Sequence, residues 1–331
     1  MNCTNIRFGK DTTLIIKGFA IVFMIVLHVF GGGGWYDADL AMNHNDALMK
    51  FMGAFKICVG MYVFLVGYGY AFSKTKDFAY SFKHIKQLLS IFWLILFVFA
   101  IPAAVNFIED SKDLIHNMFG LSSSLCWVSW FVYFYIWAML IMPFASRLID
   151  RKPLIYAPIL MLLAFGAMAA VHRIMSLNDW TQALFDCLLN TPLLLLGYTF
   201  ARLNIYEKIR IPASWVTVII SIIVAALVIV SRAYIQGYAT FITRLIETPV
   251  IILCILAMFN AQPLKFTRKV FSELGDKSVY MWFFHALFFT AATRQVYQQF
   301  IMVSDNLWII ALWTIILSYA CSYILKMVKE F

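Results

Sequence analysis

The sequence predicts an all-α bundle of about ten membrane-spanning helices with both termini in the cytoplasm. Three observations predict it: an apolar composition, a series of apolar runs of helical length, and alternating charge between those runs. Of the 331 residues, 63% are hydrophobic and 13% are charged, and the mean hydropathy is +0.83. A soluble domain is about half apolar and a quarter charged. We therefore expect one integral-membrane domain over residues 1–331, with the lipid bilayer as a partner.

Ten apolar runs are long enough, or nearly long enough, to cross the hydrocarbon core as helices. They lie at residues 13–31, 51–72, 87–105, 125–145, 153–171, 181–201, 212–231, 243–260, 278–292 and 306–325. The sixth run contains Asp186, which needs a partner, and the ninth is short and contains His285. Arg244 and Glu247 begin the eighth run, three residues apart on one helical face, so we expect them to pair with each other. Their use by an outer acceptor pocket is the alternative.

The charges between the runs support this count. If the amino terminus is cytoplasmic, the inside segments hold most of the 26 lysines and arginines, whereas the outside segments hold mostly acids, such as Asp37, Asp39 and Asp113. That alternation follows the positive-inside rule for ten spans. The same rule accounts for the net charge of +9, so we expect no nucleic-acid partner. The first run lacks a clear cleavage site and is interpreted as a span rather than a signal peptide.

Several chemical classes find no support in the sequence. The six cysteines are scattered without a disulfide frame or zinc-ligand spacing, so we expect no metal. They are Cys3, Cys58, Cys126, Cys187, Cys254 and Cys321. The sequence also lacks a nucleophile elbow, a Walker loop and an H-E-x-x-H motif. A soluble-type hydrolase, a nucleotidase and a zinc peptidase are therefore disfavoured.

Some patterns are expected to be structural. Gly53, Gly60 and Gly67 recur every seven residues, which predicts a helix face that permits close packing. Trp127 and Trp130 lie near the start of a span, where tryptophan is typical of an interfacial anchor.

The most informative residues are Lys17 and His28 in the first apolar run. A cation and an imidazole are costly in lipid, so they are expected to face protein or a wet cavity. Eleven residues advance an α-helix by about three turns and about 16 Å, with a residual rotation of roughly 20°. Both side chains therefore share one face, as in the wall of a tunnel. The structural alternatives are a snorkelling lysine and a histidine that hydrogen-bonds between helices.

The segment Ile15–Phe30 resembles the first span of the integral-membrane acyltransferase family 3, which includes bacterial polysaccharide O-acetyltransferases. In that family an arginine or lysine is followed, after ten residues, by a histidine, and Lys17 and His28 match this pattern. Three later family motifs follow in order along the chain. They are a phenylalanine-rich run ending in Gly-Tyr at Met61–Tyr70, a Trp-Phe span at Trp130–Phe144, and the glycine–serine–tyrosine–histidine signature at Leu274–His285.

The chain also departs from the family in two places. The second-span motif lacks the usual serine, and Lys83 and Lys86 stand where the family usually has two arginines three residues apart. Both departures bear on how the acyl-CoA donor is bound. Coenzyme A carries phosphate charges that a basic rim would concentrate. Positive-inside topology explains the same two lysines equally well.

The resemblance implies transfer of an acyl group, usually acetyl, from cytoplasmic acetyl-CoA to a hydroxyl of a cell-envelope glycan or related acceptor. It implies His28 and Lys17 as catalytic residues, Lys17, Lys83 and Lys86 as donor contacts, and a multi-pass location in the bacterial cytoplasmic membrane. The chemistry agrees, because an acyl thioester is already activated and needs a base for the hydroxyl and a group that stabilises the oxyanion. Histidine suits the role of base at neutral pH.

A transporter or flippase is the alternative from another functional class. Intramembrane charges would then form a substrate or proton path. The sign expected of such a protein is a pair of broken helices repeated in two matching halves, which the sequence does not show.

Overall fold

The computed structural model describes residues 3–31, 46–108, 110–175, 178–235, 239–262 and 264–330, and over these it is an all-α bundle, as predicted. The predicted outer loop with Asp37 and Asp39 lies outside the described residues. The helices of the first half are α1 (Lys10–Gly31), α2 (Asp46–Gly53), α3 (Ile57–Ala71), α4 (Phe78–Ile95), α5 (Ile101–Ala104), α6 (Ser111–Met118) and α7 (Trp130–Arg151). Those of the second half are α8 (Pro153–Ile174), α9 (Asp179–Arg202), α10 (Trp215–Tyr234), α11 (Ala239–Ala261), α12 (Lys265–Phe289), α13 (Arg294–Tyr297) and α14 (Leu307–Glu330).

Within the described residues, nine helical segments are long and apolar enough to cross a membrane. They are Lys10–Gly31, Ala47–Ala71, Phe78–Phe107, Trp130–Arg151, Pro153–Ile174, Asp179–Arg202, Trp215–Tyr234, Ala239–Ala261 and Leu307–Met327. Each coincides with one predicted span. The remaining predicted span, 278–292, falls largely on the second half of α12, whose first half carries several charges. Almost every residue from Ser278 to Phe289 is buried, so protein rather than lipid surrounds this helix and its polar residues are tolerated.

Two glycines bring α12 against α1. A Cβ on Gly18 would collide with the backbone of Phe271, and a Cβ on Gly275 would collide with the carbonyl of Leu14. Only glycine permits so close an approach of two helix backbones. The rings of Phe19 and Phe271 stack beside this crossing, with centroids 3.8 Å apart. The crossing fixes how the two helices run together toward their far ends, where His28 and His285 lie.

A second glycine crossing joins α3 to α9. A Cβ on Gly67 would collide with the carbonyl of Leu194, and one on Gly197 with the carbonyl of Phe64. Gly60 is similarly close to the side chain of Thr248. The predicted close-packed face is thus confirmed at Gly60 and Gly67. The prediction is wrong at Gly53, because no atom of a neighbouring helix lies within 4 Å of the position of a Cβ on this glycine. Gly53 instead lines a cavity, just before a break in the helix.

The two chain ends lie at the same end of the bundle, here called the inner end. Strand β1 (Cys3–Asn5) pairs antiparallel with β2 (Arg210–Pro212), which lies between α9 and α10. The Lys326 ammonium, near the end of α14, lies 2.6 Å from a carboxylate oxygen of Asp276, one residue after the glycine that packs on the first turns of α1. Termini at one end agree with the predicted even number of spans. The opposite end, where α1 finishes, is called the outer end.

Helical geometry is broken at one point that bears on the site. A short 3-10 turn, Ala54–Lys56, separates α2 from α3 near the outer end. The break places Ala54 and Lys56 on the wall of the cavity described next.

Candidate active site

Two buried histidines meet near the outer end of the bundle. His28, in the last turn of α1, is 8% exposed, and His285, on α12, is fully buried. Nδ1 of His28 lies 2.8 Å from Nε2 of His285, and the two rings are nearly parallel, at 7°. His28 is therefore hydrogen-bonded to a second imidazole, a partner that the sequence did not identify.

The hydrogen bonds define which ring nitrogens carry protons when both rings are neutral. Nδ1 of His285 lies 2.9 Å from the backbone carbonyl oxygen of Met281. A carbonyl only accepts, so this nitrogen must donate, which leaves Nε2 of His285 as an acceptor. Nδ1 of His28 must then donate to it. The consequence is that Nε2 of His28 has a free lone pair, and an imidazole in this state can act as a base.

His28 lies in the wall of a cavity of about 570 Å³ at the outer end of the bundle. That volume is typical of a small-molecule site. Among the described residues, three tryptophans line it: Trp127, Trp130 and Trp282. Trp127 packs directly on His28, with ring centroids 4.4 Å apart. The interpretation of Trp127 and Trp130 as interfacial anchors therefore misses their contact with the cavity.

An ion pair and a set of polar contacts form one side of this cavity. Arg232, at the end of α10, pairs with Glu247 of α11, and both side chains are buried. The Arg244 guanidinium donates instead to Oδ1 of Asn190, at 3.2 Å, and to the carbonyl of Leu189, at 3.1 Å. The predicted Arg244–Glu247 pair is therefore wrong. Glu247 faces α10, whereas Arg244 faces α9, so each finds its partner on a different neighbouring helix.

Asp186 of α9 also lines the cavity. Its carboxylate accepts a hydrogen bond from Gln182, one turn earlier on the same helix, and interacts electrostatically with Lys56 and Arg244. The partner that the sequence could not name is thus a local amide together with two cations of the cavity wall.

Lys17 lies on α1 nearer the inner end. It is half-buried, and its ammonium forms no hydrogen bond or ion pair with any of the described residues. Its carbonyl accepts a hydrogen bond from the Tyr62 hydroxyl, at 3.2 Å. The Tyr62 ring in turn packs edge-on against Trp282, with centroids 4.5 Å apart, and Trp282 lines the cavity. Contacts through Tyr62 and Trp282 thus link the backbone at Lys17 to the wall of the cavity that contains His28.

Lys83 and Lys86 lie on the inner half of α4 and are exposed. Neither lines the cavity of His28, and neither forms an ion pair within the described part of the chain. The structure contains a second group of inner cations that the sequence did not single out. Arg7, Lys10 and Arg268 border an open cavity of about 940 Å³ beside the start of α1.

Comparison with known proteins gives one match. A family model described as an acyltransferase domain matches residues 15–327, which is nearly the whole chain and includes both Lys17 and His28. Searches among curated proteins and among solved structures find no match. The match confirms the resemblance to acyltransferase family 3 and favours acyl transfer over transport.

Proposed function

The chain belongs to acyltransferase family 3, and we propose that it is an O-acyltransferase that moves an acyl group across its own membrane. The donor is a cytoplasmic acyl-CoA, with acetyl-CoA as the simplest case, and the acceptor is a hydroxyl of a cell-envelope glycan or a related molecule. One observation carries the proposal. His28 lines a cavity of suitable size, and its Nδ1 is held by His285, which leaves Nε2 as the basic nitrogen when both rings are neutral.

In the proposed reaction, Nε2 of His28 accepts the proton of the acceptor hydroxyl while its oxygen attacks the thioester carbonyl carbon. The imidazolium that forms shares its charge with His285 through the Nδ1–H bond. Collapse of the tetrahedral intermediate breaks the carbon–sulfur bond and expels the coenzyme A thiolate, which takes the proton from Nε2. The products are the ester and free coenzyme A, and His28 returns to its starting state.

A donor is also needed for the negative charge on the carbonyl oxygen in the transition state. Trp282 is 3% exposed, and its indole N–H has no acceptor among the described residues. A buried donor without a partner is uncommon in folded proteins. Trp282 lines the cavity and lies three residues before His285 on α12. We assign its indole N–H to the oxyanion.

The cations near the inner end are the groups proposed to bind the acyl-CoA donor. The half-buried Lys17 ammonium has no anionic partner at hydrogen-bond distance within the described residues, so it is available to a pantetheine carbonyl or a phosphate. Exposed cations nearer the inner end attract the phosphates of coenzyme A from solution. Both Lys83 with Lys86 and the group around Arg268 are suited to that role.

The proposal is tested by mass spectrometry of envelope glycans from cells with the gene, without it, and complemented with His28→Ala. We expect an acyl modification that requires the wild-type gene and is lost with His28→Ala. His172→Ala is the matched control, because His172 lies at the end of α8 and does not line the cavity. Identical glycans in all four strains would contradict the proposal, provided immunoblotting shows equal amounts of the wild-type and variant proteins in the membranes of the three strains that carry the gene.

A further inference from the structure

We propose that the outer cavity selects an acceptor that carries an anionic group, a carboxylate or a phosphate, close to the hydroxyl that is acylated. The use of that hydroxyl rests on the proposed function, whereas recognition of the anion rests on the cavity alone. The support comes from the charge of the cavity wall, from the way one arginine is held, and from the aromatic side chains beside His28.

The described wall of the cavity carries more positive than negative charge. Four cations line it: Lys50, Lys56, Arg232 and Arg244. Arg232 is neutralised by its ion pair with Glu247. The other three form no ion pair in the described part of the chain. Asp186, the one carboxylate among the described lining residues, interacts electrostatically with Lys56 and Arg244 and offsets one of the three charges. A cleft with excess charge of one sign attracts a ligand of the other.

Arg244 is the best-positioned of these cations. Its two contacts, Oδ1 of Asn190 and the carbonyl of Leu189, are neutral acceptors, so they fix the guanidinium plane without cancelling its charge. Its Nε–H is buried and has no acceptor among the described residues. A guanidinium held in one orientation is suited to a carboxylate or phosphate oxygen, which it binds in a planar, often bidentate geometry.

Aromatic residues of the same cavity provide an apolar surface next to the base. Trp127 contacts His28, and Trp130 lines the cavity nearby. Large aromatic rings give a hydroxylated ring an apolar face on which to pack. One molecule bound in the cavity can therefore place an anionic group at Arg244 and a hydroxyl at His28.

The test measures binding by the full-length protein in lipid nanodiscs, with isothermal titration calorimetry and no acyl donor. The probes are glucose, glucuronate, glucose 6-phosphate and coenzyme A. We expect one or both of the anionic sugars to bind about tenfold more tightly than glucose, and the comparison between them distinguishes a carboxylate site from a phosphate site. Lys56→Gln and Arg244→Gln should remove the preference. Lys56 is exposed, so its variant is expected to fold normally.

Lys112→Gln is the matched control, because this exposed lysine of α6 does not line the cavity. Equal binding of the three sugars would overturn the inference. It would also be overturned if coenzyme A displaced glucuronate and Lys56→Gln weakened coenzyme A equally, since the cavity would then belong to the donor. Preference for anions in a protein whose His28→Ala variant transfers acyl groups normally would refute the proposed role of His28 and leave anion recognition intact.

Discussion

The two ends of helix α1 differ in how their polar groups are held. At the outer end, His28 is buried, hydrogen-bonded to His285 and packed against Trp127. At the inner end, Lys17 is half-buried and forms no ion pair among the described residues, although it interacts electrostatically with Asp276, and Lys83 and Lys86 are exposed. Fixed groups suit chemistry, which needs defined geometry, whereas mobile exposed charges suit capture of an anion. We therefore expect changes at the outer end to lower kcat and changes at the inner end to raise the KM for the donor.

Among the three variants described next, the largest loss of kcat is expected from removing the indole N–H of Trp282. Trp282→Phe removes the N–H while keeping a ring against Tyr62 and Phe131. Loss of one oxyanion donor typically costs about 10² to 10³ in rate. We expect kcat to fall by that factor with little change in either KM. The measurement is steady-state transfer from labelled acetyl-CoA to an envelope-glycan fraction, with Trp180→Phe, at an exposed residue outside the cavity, as control. An unchanged kcat would remove Trp282 from the mechanism.

A smaller effect is expected from the histidine that orients the base. His285→Phe leaves Nδ1–H of His28 without its acceptor, so the ring is no longer held in the productive tautomer. In metal sites, a partner that holds a histidine in one tautomer and orientation is typically worth about 10- to 100-fold, and we expect a loss of that size here. His285→Gln returns an acceptor oxygen, and we expect it to restore part of kcat. If the glutamine and phenylalanine variants were equally slow, His285 would serve packing rather than orientation.

The smallest expected effect is a change in the donor KM when exposed or partly exposed cations at the inner end are removed. This change shows which of the two groups of cations binds coenzyme A. Removing two cations near the inner end should raise the apparent donor KM several-fold at low salt and have less effect at high salt, because screening acts over about 8 to 10 Å. The comparison is between Lys83→Gln with Lys86→Gln and Arg7→Gln with Arg268→Gln, each assayed at two salt concentrations. The pair that changes the donor KM marks where coenzyme A enters. If neither pair changes it, these cations set topology only.

Periodicity and composition were enough to predict most of the fold. The apolar runs located nine spanning helices, and the spacing of Lys17 and His28 placed both on α1. The tenth predicted span differs because α12 is enclosed by protein, so hydropathy is a weak guide to it. Whether a helix faces lipid or protein depends on the helices packed around it. The sequence of that helix alone does not show which helices those are.

The site was predicted less completely, for a physical reason. His28 and His285 are far apart in sequence and meet because Gly18 and Gly275 let α1 and α12 pack closely. The spacing of Arg244 and Glu247 predicted a pair within one helix. That rule ignores neighbouring helices, and the buried Glu247 pairs with Arg232 across the α10–α11 contact. Contacts between helices decide the partners of buried charges.

The contrast between the two ends of α1 is tested most directly by comparing kcat and donor KM for His28→Ala and Lys17→Ala. The assay uses nanodiscs open to both faces, with labelled acetyl-CoA and the glycan fraction as acceptor. We predict that His28→Ala lowers kcat by about 10² to 10⁴, the usual loss for a general base, and leaves the donor KM nearly unchanged. Lys17→Ala should instead raise the donor KM more than it lowers kcat. Full kcat in His28→Ala, in protein that inserts and folds normally, would contradict the account.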